Sequence, residues 1–344
     1  MDEKGFRVFL KAGKRVPKNL KDDVIRDHIR LARQFEEFIR RKSPRRTFED
    51  ADWRDVRLFI KSLTKTKENT WDNLIGLLRY SRFADNKEVE LELLIILDGG
   101  DVLGKLLNAA KDEVGVQKYA KMFAGFVPPP LGTPHEEMPK VTQDFMKRLE
   151  RGTDTETSRA ILLTGVHAGP AEFYADEKVM LRKSKDVDEY LAKRRQKMID
   201  LLEGHLKEGT LFFTQAIDKK SLDFVRKNPE VAGGVRKGIY IYQTKIPFMM
   251  IEYLREKDPT KRRHYACHCP LARESIMTGT KIPRDFCYCS AGYEKKPYEV
   301  AFGQPVKATV LKSVLWGDDV CRFKMKIPEK YRKPKHTKGK AKRH

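Results

Sequence analysis

Thiol sulfur is the most distinctive chemistry in this chain, and all five cysteines fall between Cys267 and Cys321. Four form two Cys-x-Cys pairs, Cys267-His268-Cys269 and Cys287-Tyr288-Cys289; the fifth lies in Gly317-Asp318-Asp319-Val320-Cys321-Arg322-Phe323. Cysteine used only as a small apolar filler has no reason to cluster. Gathered thiolates bind soft ions, so the candidate ligands Cys267, Cys269, Cys287, Cys289 and Cys321 point to zinc, or alternatively to a [4Fe–4S] cluster. Disulfides and coincidental burial are the competing readings. Four thiolates would leave zinc no open position, which implies a structural ion rather than a catalytic one. Met1-Asp2-Glu3-Lys4 opens no apolar export segment, so a reducing, cytoplasmic location and free thiolates are expected.

Other reactive residues are weaker candidates. His264 and His268 flank the first thiol pair and could ligate. Gly233-Gly234-Val235-Arg236-Lys237-Gly238 could cradle phosphate but lacks the strand-then-helix context, so a turn is expected. His167, with Ser158 and Asp176 near it in sequence, has no triad spacing. Asp318 and Asp319 fit a hairpin turn better than general acid and base.

The elements that must position the thiols can be read from periodicity. Residues 265–269 read as a short strand, which would turn both sulfurs of the first pair to one side. Cys287 and Cys289 are either extended or on a turn entering a helix over 291–302. Strands over 306–315 and 320–327 form a hairpin turning at Gly317-Asp318. In the second, Cys321, Phe323, Met325 and Ile327 face one way while Arg322, Lys324 and Lys326 face the other. Upstream, Gly238 to Thr244 has strand composition, and helices are expected over 139–150, 155–163, 187–207 and 219–227.

The amino-terminal half reads differently. Val24, His28, Leu31, Phe35, Phe38 and Ile39 recur at helical steps, ending at Ser43-Pro44. Further helices should bury Trp53, Val56, Phe59, Ile60 and Leu63; Trp71, Leu74, Ile75, Leu78 and Phe83; and Leu91, Leu94 and Ile95. The expected fold is α+β. Residues 1–20 form a basic arm and 21–122 an all-α bundle. A proline-rich linker over 123–138, containing Pro128-Pro129-Pro130, crosses to a mixed α/β domain over 139–328 with a C-terminal β-hairpin. A disordered basic tail occupies 329–344.

The net charge is +22. Residues 1–82 hold 22 Lys/Arg against 13 Asp/Glu, and residues 329–344 hold 8 against 1, so the excess sits at the two ends. Such ends suit a polyanion, with DNA or another nucleic acid first. Arg26, Arg30 and Arg33 share a helical stripe, and Arg40, Arg41, Lys42, Arg45 and Arg46 crowd the next turn, a set suited to phosphate contact. No run of 18 apolar residues exists, so no membrane span is expected.

Two resemblances add to this reading. Phe35-x-x-Phe38, then Asp52-x-x-x-Val56-x-x-Phe59-Ile60, then Asn69-Thr70 leading into Leu74-x-x-Leu77-Leu78-Arg79-Tyr80, resembles the core-binding (SAM-like) domain of tyrosine recombinases over residues 15–100. That resemblance implies DNA clamping; the catalytic residues of strand cleavage are not present in the rest of the chain. Cys287-Tyr288-Cys289-Ser290-Ala291-Gly292-Tyr293, then Phe302-Gly303-Gln304-Pro305-Val306, then Gly317 to Phe323, resembles the 4-vinyl reductase domain, and more weakly the amino-thiazoline-carboxylate hydrolase family. The former implies a structural zinc beside a pocket for a small organic ligand, with Cys287 as first ligand and Cys321 as last. The family's intervening Glu and Cys ligands would fall near Val310 and Ser313, where this sequence has neither, so Cys267, Cys269 and Cys289 would have to substitute. The function expected is a binding or regulatory protein. The alternatives are a hydrolase or redox enzyme for a small cyclic substrate, and a protein–protein adaptor.

Overall fold

A computed structural model of the protein describes residues 1–12 and 20–333, apart from the side chain of Lys42. The fold class is α+β, with one antiparallel sheet in the carboxyl-terminal half. The chain divides into two units, Met1–Asp101 with Val127–Pro134, and Val102–Phe126 with His135–His344.

The first unit is helical: α1 (Glu3–Ala12), α2 (Asp22–Lys42), α3 (Trp53–Thr66), α4 (Trp71–Phe83) and α5 (Lys87–Leu97). Helices α3, α4 and α5 each begin where a short polar side chain satisfies free amides. Asp52 accepts from the N–H groups of Arg54 and Asp55 at 2.8 and 3.1 Å, while Asp55 accepts from the Asp52 N–H at 3.3 Å. Thr70 and Asn86 cap α4 and α5 in the same manner. Inside, Phe35 stacks on Phe59 at 4.8 Å, and Phe48 meets Tyr80 edge-on at 4.6 Å.

Three expectations are corrected here. Residues 3–12 are not an irregular arm. They form α1, burying Phe6 and Leu10, because Phe6 finds Tyr80 at 5.0 Å; residues 13–19 lie outside the described residues. Trp53 and Trp71 are 37% and 43% exposed rather than buried, since each is the first residue of its helix, on the solvent side of the cap. Trp53 lies under the guanidinium groups of Arg54 and Arg57 instead. The helical unit also ends earlier than residue 122. The proline segment Val127–Pro134 packs on it, with Asn69 Nδ2 donating to Leu131 O at 2.8 Å.

The second unit starts at α6 (Val102–Val114), whose Val102, Leu103, Leu106 and Leu107 join its core. There follow α7 (Val116–Met122), α8 (Met138–Gly152), α9 (Thr155–Leu162), α10 (Ala175–Arg182), α11 (Val187–Glu208) and α12 (Lys219–Lys227). Strands β1 (Val235–Lys237) and β2 (Tyr240–Thr244) come next. After them run α13 (Met250–Arg255), α14 (Pro259–Ala266), α15 (Ser275–Thr278) and α16 (Tyr288–Phe302), then β3 (Ala308–Lys312) and β4 (Arg322–Lys326). The sheet order is β1-β2-β4-β3, all antiparallel. Its inner face, including Ile241, Phe323, Met325 and Val310, is buried, with α16 packed against β3 and β4. The hairpin of β3 and β4 is shorter than the sequence suggested and closes through the loop 313–321. Part of the expected basic tail is ordered: Glu329–Tyr331 is a 3-10 turn with Tyr331 against Phe302 at 4.9 Å. Residues 334–344 lie outside the described residues.

Candidate metal centre

Residues 265–269 are not a strand. Helix α14 runs to Ala266, and Cys267 is the residue at which the backbone turns extended, its N–H still bonded to the Arg263 and His264 carbonyls. The chain then turns back on itself, the Cys269 carbonyl accepting from the Ala272 and Arg273 N–H groups at 3.2 and 2.8 Å. Cys287 ends a 3-10 turn and Cys289 lies in the first turn of α16, so the second pair takes the helical alternative. Cys321 immediately precedes β4, its carbonyl accepting from the Lys245 N–H at 2.9 Å.

All five are free thiols in one buried neighbourhood. Burial pushes every one upward in pKa, Cys269 and Cys289 to about 12, and for Cys267, Cys269 and Cys287 the charges of neighbouring sulfurs add to it. Cys269 and Cys321 act on Cys267, and Cys289 acts on Cys269. Cys321, Cys267 and Cys269 act on Cys287, whose Sγ lies 2.9 Å from Ser313 Oγ. Among the described residues, however, no group of three or more His, Cys, Asp or Glu side chains is arranged to hold a metal ion. The sulfurs share a locality without being drawn round one centre.

An unanticipated cation sits among them. Lys245 is 15% exposed, with Nζ 3.1 Å from Ser290 Oγ, 3.5 Å from Glu294 Oε1 and 5.0 Å over the Tyr293 ring. Burial would lower its pKa, but Glu294, Tyr293, Cys321 and Cys269 outweigh that and hold the ammonium above ordinary lysine. In return Lys245 favours the thiolate forms of Cys269, Cys289 and Cys321. Behind it a polar chain crosses the core: Glu294 bonds Gln243, and Gln243 Oε1 accepts from Arg194 Nη1 at 3.1 Å. Arg194 also donates to Tyr298 OH at 2.9 Å and to Glu177 at 3.1 Å. These residues were missed in the sequence, yet a signal was there. Ile241 and Gln243 alternate along β2, and Lys245 continues that alternation just past its end, while Tyr190 and Arg194, and Ala291, Glu294 and Tyr298, recur at helical steps on buried stripes. A polar residue at an apolar position of the period is the mark of a buried polar set.

The weaker candidates resolve individually. His264 Nε2 lies 2.9 Å from Glu274 Oε1, whose carboxyl it helps hold down at about 2. His268 pairs through Nε2 with the Ile246 carbonyl, and burial followed by the Lys245 charge lowers it to about 3. Ser158 bonds Thr153 and Asp176 pairs with Lys197, so neither joins His167 in a triad. Asp318 accepts from the Ser313 N–H at 2.9 Å, a loop role.

Of the arginines expected to contact nucleic acid, several are engaged. Arg30 pairs with Glu68, Arg33 with Glu3, Arg40 with Glu36, and Arg46 with the buried Asp55 at 2.6 Å. Arg26, Arg41 and Arg45 are exposed and have no ion pair among the described residues. The side chain of Lys42 lies outside them.

Among the described residues, no helix is long and apolar enough to cross a membrane. No curated protein and no solved structure matches the chain. A family model described as a family of unknown function (DUF6144) is similar to residues 256–332, a segment that contains every cysteine, α16 and the β3–β4 hairpin.

Proposed function

We propose that the carboxyl-terminal unit is a soft-metal-binding module whose thiols close on zinc, or alternatively a [4Fe–4S] cluster, and that the protein is a cytoplasmic binding or regulatory protein. The observation carrying this reading is the gathering of five thiols from three chain segments into one locality, with a largely buried ammonium acting on three of them, Cys269, Cys289 and Cys321. Thiol packing alone gives no reason for such a cation. Four thiolates on a divalent ion carry surplus negative charge, and a nearby ammonium offsets it, as outer-shell partners of metal sites do. The resemblance to the 4-vinyl reductase domain supports the same reading, with Cys287 and Cys321 as outer ligands and a small organic molecule as the bound partner. Ser313, near where that family places a ligand, touches Cys287, and Cys267, Cys269 or Cys289 would supply the missing sulfur. The helical unit, resembling a core-binding domain, would add nucleic-acid contact through Arg26, Arg41 and Arg45.

Elemental analysis of anaerobically purified full-length protein tests this. The expected result is near one equivalent of zinc, or a brown protein carrying iron and sulfide, with stoichiometry lost in Cys287→Ser and Cys321→Ser. Metal below about half an equivalent in wild type, in protein refolded with zinc present, overturns it, because binding and folding of such sites share one free energy.

A further inference from the structure

The outer face of the sheet is built differently from its core face. Tyr240 and Tyr242, two apart on β2, project from it with ring centroids 6.5 Å apart. The register sets Tyr240 against Lys326 and Tyr242 against Lys324 on β4, and Lys237 of β1 against Tyr240. Cations lie directly on the rings: Lys324 Nζ is 5.1 Å from the centroid of Tyr240, and Arg322 and Lys237 stand 4.9 and 5.6 Å from that of Tyr242. The carboxylate meeting this set is Glu230, which takes Arg322 at 2.6 and 2.9 Å and Lys237 at 3.2 Å; Arg322 first, then Lys237, holds it below the usual carboxylate range. Lys324 and Lys326 are not neutralised by it, and Lys307 and Lys312 extend the positive charge along β3 as exposed residues.

We infer that this face binds single-stranded nucleic acid, bases stacking on Tyr240 and Tyr242 and phosphates meeting Lys237, Lys324 and Lys326. Charge selects a polyanion, and paired rings on an open antiparallel sheet select one whose bases are unpaired, since every base offers a π-face. A duplex keeps its bases stacked on one another and offers no free base face to a ring. The present cation–ring contacts fit exchange: a base takes the ring face while the flexible ammonium swings to the adjoining phosphate, so neither group loses a partner. This site uses side chains other than the thiols and other than the arginines of the helical unit.

Fluorescence anisotropy of labelled oligouridine, oligothymidine and a short duplex with full-length protein, at about 50 to 200 mM salt, tests it. Tighter binding of either single strand than of the duplex is expected. Tyr240→Ala and Tyr242→Ala should each weaken it about tenfold, from a stacking contribution of roughly 1–3 kcal/mol per base. Tyr→Phe at both positions should retain binding. Lys324→Ala with Lys326→Ala should flatten the salt dependence by about 1.4 in log–log slope. If the alanine variants do not fold, Lys324→Glu with Lys326→Glu, which touches no core residue, should abolish binding instead. Folded ring variants that hold the oligonucleotides as tightly as wild type overturn the inference. So does equal, ring-independent binding to duplex or to anionic lipid vesicles.

Discussion

The two units place their charges differently. In the helical unit several cations in and just after α2 meet carboxylates, Arg33 with Glu3, Arg40 with Glu36 and Arg46 with Asp55, while the interior is a web of rings about Phe35, Phe48, Phe59 and Tyr80. In the carboxyl-terminal unit one lysine is drawn inside among thiols, an arginine crosses the core, and the sheet's outer cations lie on tyrosines. Ion pairs closed within a chain hold a scaffold; cations resting on rings or beside thiols can be given up to something else.

The first way to break this contrast is to damage the apolar interior. Phe35→Ala should destabilise the protein by about 4 kcal/mol, read by thermal or urea unfolding, because the ring is fully buried between Phe48 and Phe59. A loss below about 1 kcal/mol would mean that the aromatic web repacks freely.

A nearly equal effect is expected from the polar interior, with a different signature. Glu294→Leu strands the Lys245 ammonium and should cost about 3 kcal/mol, whereas Glu294→Leu with Lys245→Met removes both charges and should recover most of it. If the ammonium balances a metal–thiolate charge, the double variant folds but holds less metal. A double variant that keeps full metal separates the cation from the thiols and sharpens the contrast the other way.

A smaller effect probes the helix crossing of α2 and α4. A methyl added at Gly76 would stand 2.6 Å from the His28 ring. Gly76→Ala should cost roughly 1–3 kcal/mol by overpacking, and His28→Ala in the same chain should return part of it, by denaturant unfolding. Simple additivity of the two changes would contradict the close approach.

Much of this was legible in the sequence where one period dominated. The 3.6-residue stripes gave the helices of the first unit, and the alternation in 322–326 gave β4 with its two faces. It failed where local signals conflicted with distant partners. The arm became helix because Phe6 meets Tyr80, a residue far along the chain; Trp53 and Trp71 matched the apolar period but stand outside the first turn. The thiols were found by spacing alone, yet their backbone was misjudged, since two cysteines two residues apart suggest a strand that turns both to one side, while the cap at Asp258 commits the stretch up to Ala266 to helix. Lys245 and Arg194 went unseen because a charged residue on a buried stripe looks like an interruption until its partners, Glu294 and Glu177, are brought to it by the fold.

The finest test uses the buried histidine of the helical unit. Burial first, then the charge of Arg79 with its Nη1 3.4 Å from Nδ1, lowers His28 to about 4, against the pull of Asp72 and Asp27. Its unfolded value is about 6.5. Between those two values the unfolded chain binds the extra proton, so stability is whole above about pH 6.5 and falls as pH drops toward 4. The melting temperature of wild type should thus decline over that window, and His28→Gln should decline less. The paired carboxylates are the same in both proteins and so act on both alike. Equal declines in the two would mean that the ring is protonated in the folded state, and that the first unit carries an unmatched buried charge after all.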